Sequence, residues 1–195
     1  MITYLKGLIT EKNPTFAVVE ANGVGYKVMI SLQTYTAIQN LAEGKLFTTH
    51  IVREDAELLY GFFEDRERSL FNLLIGVSGV GPSTAILALS AMTVSELESA
   101  IIQGNESIVK SIKGIGAKTA GRIILEIRDK ISKTEEGHSE ISMSSKNTLK
   151  EEALTALISL GFVRSVSEKA IQKSMSEAGN DQSLEMLIKS ALKYL

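Results

Sequence analysis

Two short glycine-containing segments of the chain repeat at an offset of 35 residues and have the residue types needed to bind phosphate. Val77–Ala85 reads VSGVGPSTA and Ile112–Ala120 reads IKGIGAKTA. Each precedes a stretch with helical periodicity. Glycine has no Cβ, so backbone N–H groups can approach an anion, and the positive end of the following helix points to the same place. One such segment is typical of a plain helix connector, whereas two in the same frame indicate a binding function.

The side chains around these glycines add hydroxyl and cationic donors. Residues 110–133 carry seven cations against Glu126 and Asp129, a local charge of +5 in a chain whose net charge is −2. Such a stretch is often only a solvated helix face, but beside the repeat it favours helix-hairpin-helix binding of duplex DNA through minor-groove phosphates. The predicted DNA-binding residues are Ser78, Gly79, Val80, Gly81, Pro82, Ser83, Thr84, Lys113, Gly114, Ile115, Gly116, Ala117, Lys118, Thr119 and Arg122.

The second segment, GIGAKT, also resembles half of a nucleotide-binding P-loop. That motif requires Gly-x-x-x-x-Gly-Lys-Ser/Thr after a strand. Here Ala117 precedes Lys118, and a helical stretch comes before the glycines. We therefore expect no ATPase site in this chain.

Composition excludes several classes of catalytic and metal site. The chain has no cysteine, and its two histidines, His50 and His138, are far apart in sequence. Disulfides and thiolate ligands are excluded, and neither a zinc site nor a histidine-based triad is expected. We expect no catalytic residue, no metal and no cofactor. The apolar N-terminal stretch breaks at Glu11 and Lys12, so we expect no signal peptide, no membrane span and a cytoplasmic location.

The first 63 residues have the pattern of a small β-barrel domain. Asn22-Gly23 between two alternating runs is a strong signal for a β-hairpin. A short helix is predicted for Ser31–Leu41, after the third strand, as in an OB-like five-stranded barrel. The predicted strands are Ile2–Thr10, Phe16–Ala21, Gly25–Ile30, Leu46–Arg53 and Leu58–Phe62.

The rest of the chain is predicted to be helical. Residues 64–131 form the tandem helix-hairpin-helix domain, with Thr93 and Glu96 at the spacing of a capping box. The Ser-rich residues 132–148 have the composition of a flexible linker, and residues 149–195 are predicted to form a small three-helix module. The fold class is therefore multi-domain α+β.

The combination of these features over Met1–Leu195 resembles the RuvA family, the Holliday-junction-recognition subunits of bacterial branch-migration complexes. The barrel contains VREDAELLYGF at Val52–Phe62 and GVGY at Gly23–Tyr26. The helical domain contains GVGP at Gly79–Pro82 and GIGAKTAGRII at Gly114–Ile124. The joint occurrence of these motifs in this order is far more specific than any one of them.

The resemblance implies a non-catalytic DNA-binding subunit for recombination and repair. It implies a homotetramer, one or two on a junction, that holds four DNA arms in an open square. A UBA-like C-terminal module would bind the hexameric AAA+ motor RuvB, with the RuvC resolvase as a further candidate partner. The acidic pin of the family corresponds to Glu54 and Asp55. We predict the apolar motor contact at Leu157, Leu160 and Phe162.

Two departures and two alternatives accompany the resemblance. This chain has Ser83 and Ala117 where the family often has lysine, so weaker phosphate contact is expected there. One alternative is a generic duplex-binding subunit of a repair nuclease. The other is a DNA glycosylase or lyase, which needs an Asp shortly after the motif and a base pocket. No acid follows Gly81 before Glu96, and residues 73–160 contain no aromatic residue.

Overall fold

A computed structural model describes residues 1–139, 145–178 and 183–195 and confirms the predicted fold class. The described residues form two compact units, Met1–Glu136 and Gly137–Leu195. The first unit begins with strands and continues as helices. Its elements are β1 (Tyr4–Asn13), β2 (Phe16–Ala21), β3 (Val24–Ile30), α1 (Leu32–Ile38), β4 (Glu43–Val52), β5 (Glu57–Phe62), α2 (Asp65–Ile75), α3 (Pro82–Ala91), α4 (Val94–Ile102), α5 (Glu106–Lys110) and α6 (Ala117–Ser139), the last of which ends beyond the unit's border.

The five strands form a closed barrel in the order β1-β2-β3-β5-β4. Four of the five neighbouring pairs are antiparallel. The β3–β5 pair is parallel, because a closed barrel with an odd number of strands cannot alternate direction at every pair. The predicted Asn22-Gly23 turn joins β2 and β3, whose register pairs Ala21 with Val24. Asn22 and Gly23 have φ of 51° and 81°, as a two-residue type I′ turn requires. The barrel interior is aliphatic, with Leu5, Ile9, Ala17, Val19, Val28, Ile30, Ile38 and Leu46 buried.

A second apolar core joins the last strand of the barrel to the helices. The rings of Tyr60 and Phe62 on β5 lie 5.1 and 4.9 Å from the ring of Phe71 on α2. The same core continues through α3, α4, α5 and α6 as far as Ile131. The sequence predicts that most aromatic side chains fill the barrel. That prediction is wrong for Tyr60 and Phe62, which attach the barrel to the helical segment.

A buried carboxylate ties three elements of this junction together. Glu67 on α2 is 3% exposed and accepts hydrogen bonds from the hydroxyls of Ser31 and Thr34, the latter at 2.7 Å. The Phe63 N–H donates to Thr34 Oγ1 at 3.0 Å. Burial raises the pKa of the Glu67 carboxyl above its usual value, because the charged form loses hydration, and the two hydroxyl donors oppose this shift.

Further polar contacts hold α3 and α4 against the barrel and α2. The Gln33 amide on α1 donates to the Leu89 carbonyl at 2.7 Å and also to the Met92 carbonyl, near the C-terminal end of α3. Arg66 on α2 forms an ion pair with Glu98 on α4. The Gln33 contacts hold the C-terminal end of α3 against α1, and the Arg66–Glu98 ion pair holds α4 against α2.

The predicted capping box at the start of α4 is confirmed. The Thr93 hydroxyl accepts from the Glu96 N–H at 3.2 Å, and the Glu96 carboxylate accepts from the Thr93 N–H at 2.8 Å. The Thr93 N–H and the Thr93 hydroxyl, which donates to the same carboxylate at 2.7 Å, lower the pKa of Glu96 by favouring its charged form.

The second unit contains three helices, α7 (Ser145–Ser159), α8 (Arg164–Ala178) and α9 (Leu184–Ala191), and a final 3₁₀ turn (Leu192–Tyr194). Its core consists of Ala153, Leu154, Leu157, Ala170, Ile171, Leu187 and Ala191. α7 ends in a Schellman motif at Gly161, where φ is 96° and the Phe162 N–H donates to the Leu157 carbonyl at 3.1 Å. The expectation of a small helical module at the end of the chain is confirmed.

Helical backbone enters the segment predicted to be a linker from both sides. α6 runs to Ser139 and α7 begins at Ser145, while residues 140–144 lie outside the described part of the chain. Lys and Glu in this segment favour helix, which explains why α6 passes the predicted boundary at Ile131. The linker's flexibility and the predicted domain boundaries remain predictions.

Within the described ranges, no single helix is both long and apolar enough to cross a membrane; α3 and α4 reach that measure only as a pair bent by 102°.

The raised pKa of Glu67 predicts a pH-dependent stability. Because the folded carboxyl binds its proton more tightly than the unfolded one, its contribution is fully present below pH 4.5 and is lost as pH rises through the folded pKa. The free energy of unfolding of the parent should therefore fall relative to that of Glu67→Gln as pH rises above 4.5, measured by urea titration. Glu96→Gln is the matched control with the opposite sign, and parallel curves for the parent and Glu67→Gln would contradict the assignment.

Candidate nucleic-acid interface

The two glycine segments form turns of the same construction. In the first, the Val80 N–H donates to the Val77 carbonyl at 3.0 Å, and in the second the Ile115 N–H donates to the Ile112 carbonyl at 3.0 Å. All four of these apolar side chains lie in the core, between 2% and 6% exposed. Because each turn is anchored from inside by two side chains, the residues between and after them face outward. We call these turns, Val77–Pro82 and Ile112–Ala117, hairpin 1 and hairpin 2.

Each hairpin contains one glycine that the backbone conformation requires. Gly79 and Gly114 have φ of 94° and 91°. With the i to i+3 hydrogen bond, this is the arrangement of a type II turn, in which the third position needs a positive φ. Any side chain with a Cβ would be strained at these two positions.

The other glycine of each hairpin has no such structural reason. Gly81 has φ −86° and ψ 165°, a conformation that any residue adopts. A Cβ added to Gly81 or to Gly116 would have no atom within 4 Å. The protein itself therefore leaves open space at both positions, and a methyl group there would obstruct only a group arriving from outside.

The helix after hairpin 1 begins without a side-chain cap. No side-chain hydrogen bond caps α3 at Gly81, and Pro82 occupies its first turn. By contrast, α1, α4, α5 and α9 are each capped by a hydroxyl or amide side chain, from Ser31, Thr93, Asn105 and Ser183 respectively. The first N–H groups of an uncapped helix remain available to an external acceptor, and a phosphate oxygen is a suitable one.

A threonine from each repeat packs against the glycine turn of the other. A Cβ added to Gly114 would lie 3.6 Å from Thr84 Cγ2, and one added to Gly79 would lie 3.6 Å from Thr119 Oγ1. Both threonines are half-buried. The structure thus brings the two hairpins together, which the sequence repeat alone does not specify.

Ten of the fifteen predicted DNA-binding residues are exposed on this surface, three are half-buried and two are buried. Val80 and Ile115 are buried, so only their backbone faces outward and their side chains act as anchors. Pro82, Thr84 and Thr119 are half-buried. The exposed residues are Ser78, Gly79, Gly81, Ser83, Lys113, Gly114, Gly116, Ala117, Lys118 and Arg122.

The predicted acidic pin lies at the tip of the β4–β5 hairpin. The Arg53 N–H donates to the Ala56 carbonyl at 2.8 Å, which makes Glu54 and Asp55 the two central residues of a tight turn, both exposed. Below the turn, His50 Nε2 lies 2.7 Å from Glu57 Oε1 across the two strands. The turn therefore presents two carboxylates to solvent, while their role remains a prediction.

The predicted partner-binding residues of the second unit separate into core and surface. Leu157 is fully buried among the helices, so its prediction as a contact is wrong: the amphipathic pattern identified an apolar face that α8 and α9 cover. Leu160 is 62% exposed and Phe162 is 37% exposed. Val163 and Val166, which the sequence prediction does not include, are also exposed, at 66% and 45%; their apolar type shortly after Gly161 was the available signal.

Among the described residues, no three His, Asp or Glu side chains come together as metal ligands would.

Comparison with known proteins gives matches along nearly the whole chain. The model described as "RuvA N terminal domain" matches residues 1–61, "SAM-like Helix-hairpin-helix tandem" matches 71–129, and "RuvA, C-terminal domain" matches 148–195. The second match includes both hairpins.

Curated relatives match at full length. Proteins of Christiangramia forsetii and Flavobacterium psychrophilum are 46% and 43% identical over 195 residues, covering all of both chains. A protein of Bacteroides fragilis is 43% identical over 202 aligned positions, again with both chains fully covered. Each of the three is named "Holliday junction branch migration complex subunit RuvA".

Proposed function

Because the chain belongs to the RuvA family, we propose that it binds four-way DNA junctions as the junction-recognition subunit of a branch-migration complex. The observation that carries the proposal is the pair of hairpins. Each presents outward a glycine that its own fold does not require, and the helix after hairpin 1 has no side-chain cap. Such surfaces bind anions through backbone amides, and DNA offers phosphates at regular spacing.

Recognition by amides and lysines is independent of base sequence. Lys113 within hairpin 2 and Lys118 directly after it are exposed and supply point charges for phosphates. A junction forms wherever two duplexes exchange strands, so its recognition must rest on shape rather than on base edges. The surface fits this requirement, since its donors are main-chain groups and flexible cations.

We propose further that four copies assemble around the crossover and hold the arms in an open square. Each copy would contribute two hairpins, and the exposed Glu54 and Asp55 turns would lie at the centre. Carboxylates at that place repel phosphates and disfavour the seating of a continuous duplex there.

The chain carries out no chemistry in this proposal. Its second unit would bind the AAA+ motor RuvB, which supplies ATP-driven movement, through the exposed patch of Leu160, Phe162, Val163 and Val166. Four exposed apolar side chains within seven consecutive residues are a feature of protein interaction sites. A cytoplasmic location completes the proposal, because junctions form on chromosomal DNA.

The double variant Gly81→Ala/Gly116→Ala tests the hairpins. Its added methyl groups meet nothing within the protein but obstruct an approaching phosphate, so junction affinity should fall at least about tenfold with the melting temperature unchanged. Titration of a labelled four-way junction and a linear duplex measures both affinities. The matched control is Gly121→Ala on α6. Its added methyl group would face the Glu106 carboxylate of α5, so this variant should retain junction binding. Unchanged junction affinity in the folded double variant would refute the proposal.

The pin is tested by Glu54→Gln/Asp55→Asn. If its carboxylates repel phosphates, the variant should bind linear duplex more tightly than the parent and lose part of its preference for junctions. The gain should be largest near 0.01 M salt, where the Debye length is about 30 Å. Glu151→Gln/Glu152→Gln makes the same change in net charge on α7, and should leave duplex binding unchanged. A pin variant that binds duplex no better than the parent at low salt would rule out repulsion.

The motor contact is tested by Leu160→Ala/Phe162→Ala in the full chain. Both side chains are exposed, so the variant should keep its fold and its junction binding while losing stimulation of RuvB ATPase on junction DNA. Met186→Ala, which truncates an exposed apolar side chain on α9, is the control. Leu157→Ala should instead destabilise the module by about 2–5 kcal/mol, as expected for a core leucine. Full stimulation by the double variant would place the contact elsewhere.

A further inference from the structure

The two repeats are unequal in charge at equivalent positions. Three positions near hairpin 2 are cationic, and the residues 35 positions earlier are all neutral. The equivalent pairs are Ser78 and Lys113, Ser83 and Lys118, and Leu87 and Arg122. Judged by its own residues at these positions, hairpin 1 has backbone amides for a phosphate but no cation.

One cation of the second repeat nevertheless lies at hairpin 1. Arg122 on α6 has its Nη1 3.4 Å from Ser78 Oγ and 3.5 Å from the Ser78 carbonyl oxygen. Ser78 stands inside the turn of hairpin 1, directly before Gly79. The guanidinium has five N–H donors, so a contact through Nη1 leaves others free to bind an anion at the same place. The side chain is exposed, as such binding requires.

The contact is supported by the packing of the same helix. Thr119 lies one turn before Arg122 on α6, and residues three apart share a helix face. Thr119 packs against Gly79, so this face of α6 lies along hairpin 1 from Gly79 to Ser78. In the reverse direction, Thr84 packs against Gly114 of hairpin 2, but Leu87, the equivalent of Arg122, has no charge to offer.

We propose that Arg122 serves hairpin 1 rather than hairpin 2, and supplies the phosphate-binding cation that the first repeat lacks. The ligand is a phosphate group of the nucleic-acid backbone. The inference rests on the proposed function and deepens it: α6 contributes Lys118 near its own hairpin and Arg122 to the other, so one helix binds phosphates on both sides of the repeat.

A double-mutant cycle that relocates the charge tests this assignment. Arg122→Leu, which introduces the residue of the first repeat, should weaken junction binding and lower the slope of log K against log salt by about 0.9 for each phosphate that is no longer neutralised. Ser78→Lys in that background returns a cation to hairpin 1 and should restore most of the affinity and the slope. In the parent, Ser78→Lys should raise the junction affinity only slightly, because the new ammonium would lie beside the Arg122 guanidinium.

Lys118→Ser provides the comparison within the same surface. Lys118→Ser should also lower the slope of log K against log salt. Ser78→Lys should not restore that slope in the Lys118→Ser protein, because Arg122 is still present at hairpin 1. The inference would be overturned if Ser78→Lys changed the junction affinity by the same factor in the parent, in Arg122→Leu and in Lys118→Ser. Arg122→Gln gives a second variant should Arg122→Leu lower the melting temperature. A parent protein that fails to bind junctions would overturn the proposed function instead, so the two failures are distinguishable.

Discussion

The burial of two apolar side chains in each hairpin is the constraint on which the DNA-facing surface depends. Val77 and Val80 enter the helical core from one turn, and Ile112 and Ile115 enter it from the other. With both ends of a turn anchored inside, the glycine between them must adopt a positive φ and the next glycine must face outward. The apolar residues of the motif therefore position its polar backbone, although they contact no ligand themselves.

The barrel contributes to this surface by holding the helices that carry it. Its last strand and α2 share aromatic packing, and the buried Glu67 joins α2 to the start of α1. α1 in turn holds the C-terminal end of α3 through Gln33. A chain of direct contacts thus runs from the last strand of the barrel through α2 and α1 to the C-terminal end of α3, and residues 1–136 form one compact unit.

The sequence predicts local features of this protein better than the pairing of its surfaces. The Asn22-Gly23 turn, the Thr93 capping box and the glycine repeat are confirmed because each depends on residues close together in the chain. The prediction of Leu157 as a partner contact is wrong, and the prediction that most aromatic side chains fill the barrel fails for Tyr60 and Phe62, because periodicity reveals that a face is apolar but not which element covers it. The contact of Arg122 with hairpin 1 escapes sequence reasoning for the same reason: its partner lies 44 residues away.

The open amides beside Gly81 and Gly116 have a consequence for motion along DNA. Every nucleotide carries the same phosphate, so a site built from main-chain donors meets an equivalent ligand after each one-nucleotide displacement. The binding free energy then repeats with the period of the DNA backbone and has no deep minimum at a particular base sequence. A protein with such a surface can stay bound while DNA moves along it. A motor that moves the DNA then meets no additional barrier at particular base sequences.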